Sequence, residues 1–352
     1  MSTDVSAPQG RSRLDVTPPT RVGGVARVSA LYSRHREIAA ILISVLLFIY
    51  FLARSGSLFL GSNVATLGQY VAPIAILAVG EAMLLICGEI DLSSGNVYAL
   101  SPFIVMYLNQ DHLPVILATV LAILISAFIG LVNGLITVYL HVPSFVTTLG
   151  MSFLLLGIVL VLTNGATGTP PGGSLYADIM GGGNWSELIW AGCIVVVFAY
   201  LLKWTRFGTY TFAVGGNLNA AREASINVAR IKIWNFVLMG ALAGLTGILD
   251  GVRIAALDPT SGGTAIMFSA VAAAVIGGTS LVGGSGSVIG AFFGACFLET
   301  LYDGFTLEGV SQFDFDIIIG AAILIAMIVN IRFQRLRVGR SFEELEPEGD
   351  EA

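Results

Sequence analysis

The sequence predicts an all-α polytopic membrane protein, and three observations carry that expectation. Hydrophobic residues fill 55% of the 352 positions and charged residues only 11%, whereas soluble domains carry about a quarter charged residues. The apolar residues gather into ten segments, close to the ~20 residues that a bilayer crossing needs. Fifteen of the seventeen Lys and Arg fall in three groups, before position 37, between Lys203 and Lys232, and between Arg332 and Arg340. With ten crossings all three groups reach one face, the cytoplasmic one by the positive-inside rule. Only Arg54 and Arg253 fall at the other ends, and both termini are expected inside.

Residues 1–36 are polar, with Pro18–Pro19 and six arginines. They lack an apolar core followed by a small-residue cleavage site, so they read as a flexible cytoplasmic arm and not a signal peptide. A transmembrane domain follows over 37–332. Its apolar segments are 37–53, 64–87, 94–108, 114–140, 144–163, 187–202, 231–256, 264–281, 286–303 and 315–331. Those at 94–108 and 264–281 are short or broken by glycine. The tail 333–352 ends in SFEELEPEGDEA, six acids and no base beyond Arg340, which predicts disorder on the cytoplasmic side.

The chain is organised around Gly88–Asn96, GEIDLSSGN. Two carboxylates, Glu89 and Asp91, follow the apolar run Val71–Cys87. At membrane depth each costs about 2.5–3.5 kcal/mol unless paired or wetted. Gly88 and Gly95 let the chain break, and Asp91, Ser93 or Ser94 can cap a restarting helix. Two readings stay open, a discontinuous helix within the membrane and a plain turn between two spans. Asn96 closes the stretch.

The outer connection 164–186 is rich in Gly and Pro and has no basic residue. The inner segment 203–232 is the longest cytoplasmic connection. Within it Asn217 precedes LNAAREASINV, which predicts an N-capped helix of about three turns, with an interfacial amphipathic helix as the alternative. Ala220, Ala221, Ala224 and Ser225 would give it a thin surface, and Gly215 and Gly216 a tight entry turn. Further on, Gly286, Gly290 and Gly294 recur every four residues and predict a small-xxx-small ridge for close helix packing. Before them GGTSLVGG is too flexible for an ordinary helix, and Thr279 or Ser280 can satisfy freed backbone groups. Gly277, Leu281 and Gly284 repeat the spacing of Gly88, Leu92 and Gly95, a weak sign of an internal repeat.

Several function classes lack their residues. No GxxxxGK[ST], HExxH, CxxC or GxSxG occurs, so no P-loop, metalloprotease, redox or hydrolase motif is present. Three cysteines, Cys87, Cys193 and Cys296, all in apolar runs, argue against a disulfide framework or metal site. His35, His112 and His141 are far apart and near predicted membrane ends. No basic face with interleaved aromatics suggests nucleic acid, and no cofactor site is expected.

Three stretches, GEIDLSSG (88–95), AVGGNLNAAREASINV (213–228) and AAVIGGTSLVGGSGSVIGA (273–291), resemble the permease family of bacterial sugar ABC importers, the ribose and xylose permeases among them. The resemblance spans roughly 40–331 in the same order. It implies a translocation subunit for a monosaccharide or related polyol, in the bacterial inner membrane, working as a dimer. It further implies two ATPase subunits on the cytoplasmic face and a soluble sugar-binding protein outside. On it, Gly215, Gly216, Asn217, Ala220, Ala221, Arg222 and Asn227 belong to a helix that couples the ATPase to the membrane part. Glu89, Asp91, Ser93, Asn96, Thr279 and Ser280 then mark the broken helices of the pathway. Glu81 and Glu299 depart from the family's usual uncharged residues, and Tyr302–Asp303 from its usual Asn pair. Glu299 and Asp303 lie one turn apart, so either one is protonated or both face water. Asp250 and Asp258, at the outer end of the seventh span, read as solvated end charges. The competing function is an ion-coupled secondary transporter using Glu81, Glu89 and Asp91. A scaffold without transport would have no use for carboxylates at depth.

Overall fold

Nine of the ten expected apolar segments are helices in the computed structural model, which describes residues 36–55 and 62–310 with scattered positions between 317 and 328. The arm, the acidic tail and most of the tenth segment lie outside the described residues. The long helices are α1 (Arg36–Ser55), α2 (Ser62–Ile86), α3 (Ser94–Gln110), α4 (Val115–Tyr139) and α5 (Ser144–Thr163). The outer connection holds a single helical turn, α6 (Ser174–Ala177), running into a π-type turn at Asp178–Gly182. Then come α7 (Ser186–Trp204), α8 (Arg206–Gly216), α9 (Leu218–Glu223), α10 (Val228–Ile254), α11 (Gly263–Ile276) and α12 (Val288–Leu307). Among the described residues the one strand-like pairing is an isolated bridge, Gly168 with Leu257.

Seven of these helices, all but α3 among the long ones, are apolar and long enough to cross a membrane. The polarity of α3 is explained by its place: its first ten residues are all buried. Helices α2, α3 and α10 form the centre. Around them α1, α4, α5 and α7 turn large apolar side chains outward, Leu46, Phe128, Phe153 and Val196 among them. Hydrocarbon is as apolar as leucine, so such helices associate through close packing and interhelical hydrogen bonds.

Small residues supply that closeness. On α10, Gly240 backs onto the Ser126 carbonyl of α4 and Gly247 onto the Tyr98 carbonyl of α3, with no room for a Cβ at either place. This ridge of Gly240, Gly244, Gly247 and Gly251 follows the same rule as the expected one on α12, and the sequence carried its signal unread. On α12 the ridge is shorter than expected. Ser287 is the N-cap, its Oγ accepting from the Gly290 N–H at 3.1 Å, so Gly286 precedes the helix. Gly290 and Gly294 meet the Gly277 and Ala273 carbonyls of α11.

The break at Gly88 follows a full crossing. Helix α2 has 25 residues, about 37 Å at 1.5 Å per residue, enough for a ~30 Å hydrocarbon core. The two carboxylates therefore lie at one end of the bundle, not halfway through it.

Candidate functional site

Helices α2 and α11 end in the same way. In α2 the Gly88 N–H bonds to the Leu85 carbonyl and the Glu89 N–H to Leu84, with Gly88 at φ +83°. In α11 Gly278 bonds to Val275 and Thr279 to Ala274, with Gly278 at φ +91°. This left-handed cap satisfies the last carbonyls, and glycine adopts it without a Cβ clash. The geometry pairs Gly278, not Gly277, with Gly88, so the register of the repeat is one residue from that suggested by spacing.

The turn between α2 and α3 is buried, not a plain solvated one. Asp91 Oδ1 accepts from the Ser93 N–H at 2.8 Å and from Ser93 Oγ at 2.6 Å. Ser93 is therefore the N-cap residue of α3 without a capping bond of its own, and Asp91 braces the turn just before it. Asn133 of α4 donates to Ser93 Oγ at 2.8 Å. Glu81, fully buried one turn before the end of α2, accepts a longer bond from Ser94 Oγ at 3.4 Å. Asn96 donates to the Ser152 carbonyl at 3.0 Å and to its hydroxyl at 2.6 Å.

Helix α5 meets this turn with hydroxyls at every fourth position. Thr148 Oγ1 accepts from the Leu92 N–H at 3.0 Å, Ser144 Oγ from Ile90 at 3.4 Å, and Ser152 takes Asn96. These are the partners that irregular backbone needs inside a membrane protein. Three hydroxyls at helical spacing in an apolar run are their only signal in the sequence.

The stretch 213–228 joins the same end of the bundle. Asn217 caps α9 as expected, Oδ1 accepting from Asn219 and Ala220 N–H groups at 3.1 and 3.0 Å. The rest differs. Helix α9 spans six residues, not three turns, because Ser225 turns left-handed at φ +59° and ends it. Asn227 caps α10 instead, accepting from the Arg230 N–H at 3.0 Å. Gly215 and Gly216 lie within α8 and make no turn; they allow close approach, Gly215 backing onto the Ile86 carbonyl and Gly284. Ala221 is buried in a cluster with Cys87, Val214 and Ile231, so it does not belong to an outward surface. Ala220, Arg222 and Ala224 are exposed.

The glycine-rich loop closes the arrangement. The Gly284 N–H donates to the Ile86 carbonyl at 2.9 Å, and Ser280 Oγ accepts from Val282 at 3.1 Å; Thr279 is buried beside it. Three stretches distant in sequence, 88–96, 213–228 and 277–287, thus meet at one place. Beside them opens a cavity of about 570 Å³ lined by Glu89, Thr137, His141, Ser144, Arg222 and Lys232. Lys232 forms an ion pair with Glu89.

A second charged group occupies the opposite end of α10. Arg253 Nε lies 3.0 Å from Glu187 Oε2, its guanidinium pairs with Asp250, and it sits 5.1 Å from the Tyr70 ring centroid. Tyr98 donates to Asp250. Asp250 is buried, so the expectation of a solvated end charge fails there. It suits Asp258, which is exposed; Thr260 donates to it from N–H and Oγ1 at 2.8 and 2.7 Å and holds its carboxyl below the usual carboxylate range. On α12, Asp303 accepts from Asn63 at 2.9 Å, and Glu299 is partly exposed.

No solved structure is a significant match. Among curated proteins, a xylose/arabinose import permease protein of Sulfolobus acidocaldarius is 37% identical over 313 residues, 86% of each chain. A ribose import permease protein of Escherichia coli K12 is 36% identical over 290 residues, 80% of this chain and 89% of its own. An autoinducer 2 import system permease protein of E. coli is 35% identical over 309 residues, 85% and 88%. The family model described as branched-chain amino acid transport system, permease component, matches residues 62–327. On these matches the chain belongs to that family of multi-pass membrane permease components.

Proposed function

We propose that the protein is the translocation subunit of an ATP-driven importer for a monosaccharide or related polyol. The observation that carries this reading is the short capped helix α9, whose Ala220 and Arg222, with Ala224 just beyond it, face outward at the end where the two helix breaks meet. Names of relatives specify xylose/arabinose and ribose import, which favours a sugar over the amino acids of the family description. They also favour a partner-driven importer over an ion-coupled transporter. ATP hydrolysis then belongs to separate subunits docked on α9 from the cytoplasm. A soluble binding protein delivers sugar from outside, and a second copy of this chain completes the pathway. The setting is a bacterial cytoplasmic membrane with both termini inside.

The test is co-purification with the ATPase and sugar uptake in membranes holding equal amounts of subunit. Because Ala220 is exposed, Ala220→Arg adds bulk at the proposed contact without entering the core. ATPase retention and uptake should both fall about tenfold or more, as for a central interface position. Normal retention with normal uptake rejects α9 as the contact. Uptake in the absence of any ATPase favours the ion-coupled reading.

The orientation has its own check. Cysteine placed at Ser174, exposed in the outer connection, should react with a membrane-impermeant thiol reagent from outside. Cysteine at exposed Ser225 should react only after permeabilisation. Labelling of both from outside contradicts the topology.

A further inference from the structure

Helix α9 is anchored to one target by both of its neighbours and by itself. Before it, α8 presses Gly215 against the Ile86 carbonyl. From within it, Ala221 packs in the cluster that holds Cys87. After it, Lys232, little more than a turn into α10, pairs with Glu89. All three contacts land on residues 86–89, the turn from α2 into α3.

These contacts differ in what they transmit. Apolar surfaces and close backbones resist being pushed together, but being non-directional they can slide and so direct a pull poorly. A charge-assisted hydrogen bond resists separation as well, and more so when partly desolvated. The Lys232 and Glu89 side chains are 19% and 9% exposed. The pair borders the cavity of about 570 Å³, which leaves it space to move as a unit. Two residues beyond Glu89, Asp91 holds Ser93, the N-cap residue of α3, and through it is joined to Asn133 of α4.

We propose that the Lys232–Glu89 pair is the tie through which displacement of the α9 segment pulls the α2–α3 turn, making Lys232 a positioning residue for transport. This rests on the reading of α9 as the ATPase contact. Passive proximity would give no such role, so the two must be separated by coupling measurements.

The experiment uses the complete transporter reconstituted in vesicles, with sugar uptake and ATP hydrolysis measured together. Glu89→Gln and Lys232→Gln should each lower uptake per ATP hydrolysed by about tenfold or more, the scale of losing a buried charge partner. The exchanged pair Glu89→Lys/Lys232→Glu should recover to within about threefold of wild type, and Lys232→Arg should stay near it. ATPase retention should persist in all. Unchanged uptake per ATP in the single variants overturns the proposal. So does an exchanged pair as impaired as the singles at equal thermal stability. Should the single variants fail to insert, the exchanged pair and Lys232→Arg decide the matter by the same ratio. Loss of the ATPase from the wild-type complex instead removes the α9 reading on which the tie depends.

Discussion

Replacing Arg253 by leucine is expected to destabilise the protein by about 3–5 kcal/mol, the usual cost of stripping a partner from buried charge. Arg253 holds two carboxylates at once, Glu187 of α7 at 3.0 Å and Asp250 of its own helix. Both acids are buried, and Tyr98 of α3 already donates its hydroxyl to Asp250. Leucine would give up the cation–π contact with Tyr70 and leave two like charges facing each other without a cation. Their repulsion would push α7 away from α10. Lysine should restore part of the loss, because it supplies charge without the planar fork that reaches both acids. Adding Glu187→Gln to Arg253→Leu should also recover part, by removing one stranded charge. Thermal unfolding of the detergent-solubilised protein measures all three. An Arg253→Leu melting temperature equal to wild type would show that the acids find other partners, and the account of this network would fall.

Gly290→Leu should be severely damaging. A Cβ there would land on the Gly277 carbonyl of α11, and a backbone atom cannot swing aside as a side chain can. Overpacking typically costs 1–3 kcal/mol, and here the remaining leucine carbons add to a clash already present at the first. The expected readout is poor accumulation of folded subunit in the membrane. Gly286→Ala should be milder, since its new methyl meets the Ile86 and Thr279 side chains. Gly150→Leu should be silent, because that glycine on α5 has nothing within 4 Å. If Gly290→Leu accumulates and transports like wild type, α11 and α12 do not depend on backbone contact.

Helix positions were legible because each crossing needs a long apolar run, and the breaks because glycine and capping residues punctuate them. The Asn217 cap was legible for the same reason. What ended α9 was not: the left-handed position falls on Ser225, where no glycine announces it. The orientation of α9 was hidden as well, since alanine suits a buried face and a thin exposed one equally. Asp250 was misread because Tyr98, which donates to it, and Glu187, which shares its Arg253, come from helices whose proximity no local pattern reveals. By contrast the hydroxyls of Ser144, Thr148 and Ser152, and the glycines of α10, obey spacings that can be read directly. They were overlooked because hydrophobicity dominates such segments.

The hydroxyl series on α5 has a consequence for solvent exchange. The Leu92 amide proton, in the turn between α2 and α3, is held by Thr148, an oxygen on α5. Its protection therefore lasts only while α5 stays docked, whereas amides inside α2 remain shielded by their own ladder. In deuterated buffer, the exchange rate at Leu92 becomes a clock for separation of α5 from the centre. A bound partner that closes the bundle should slow that clock without altering a single covalent bond near it.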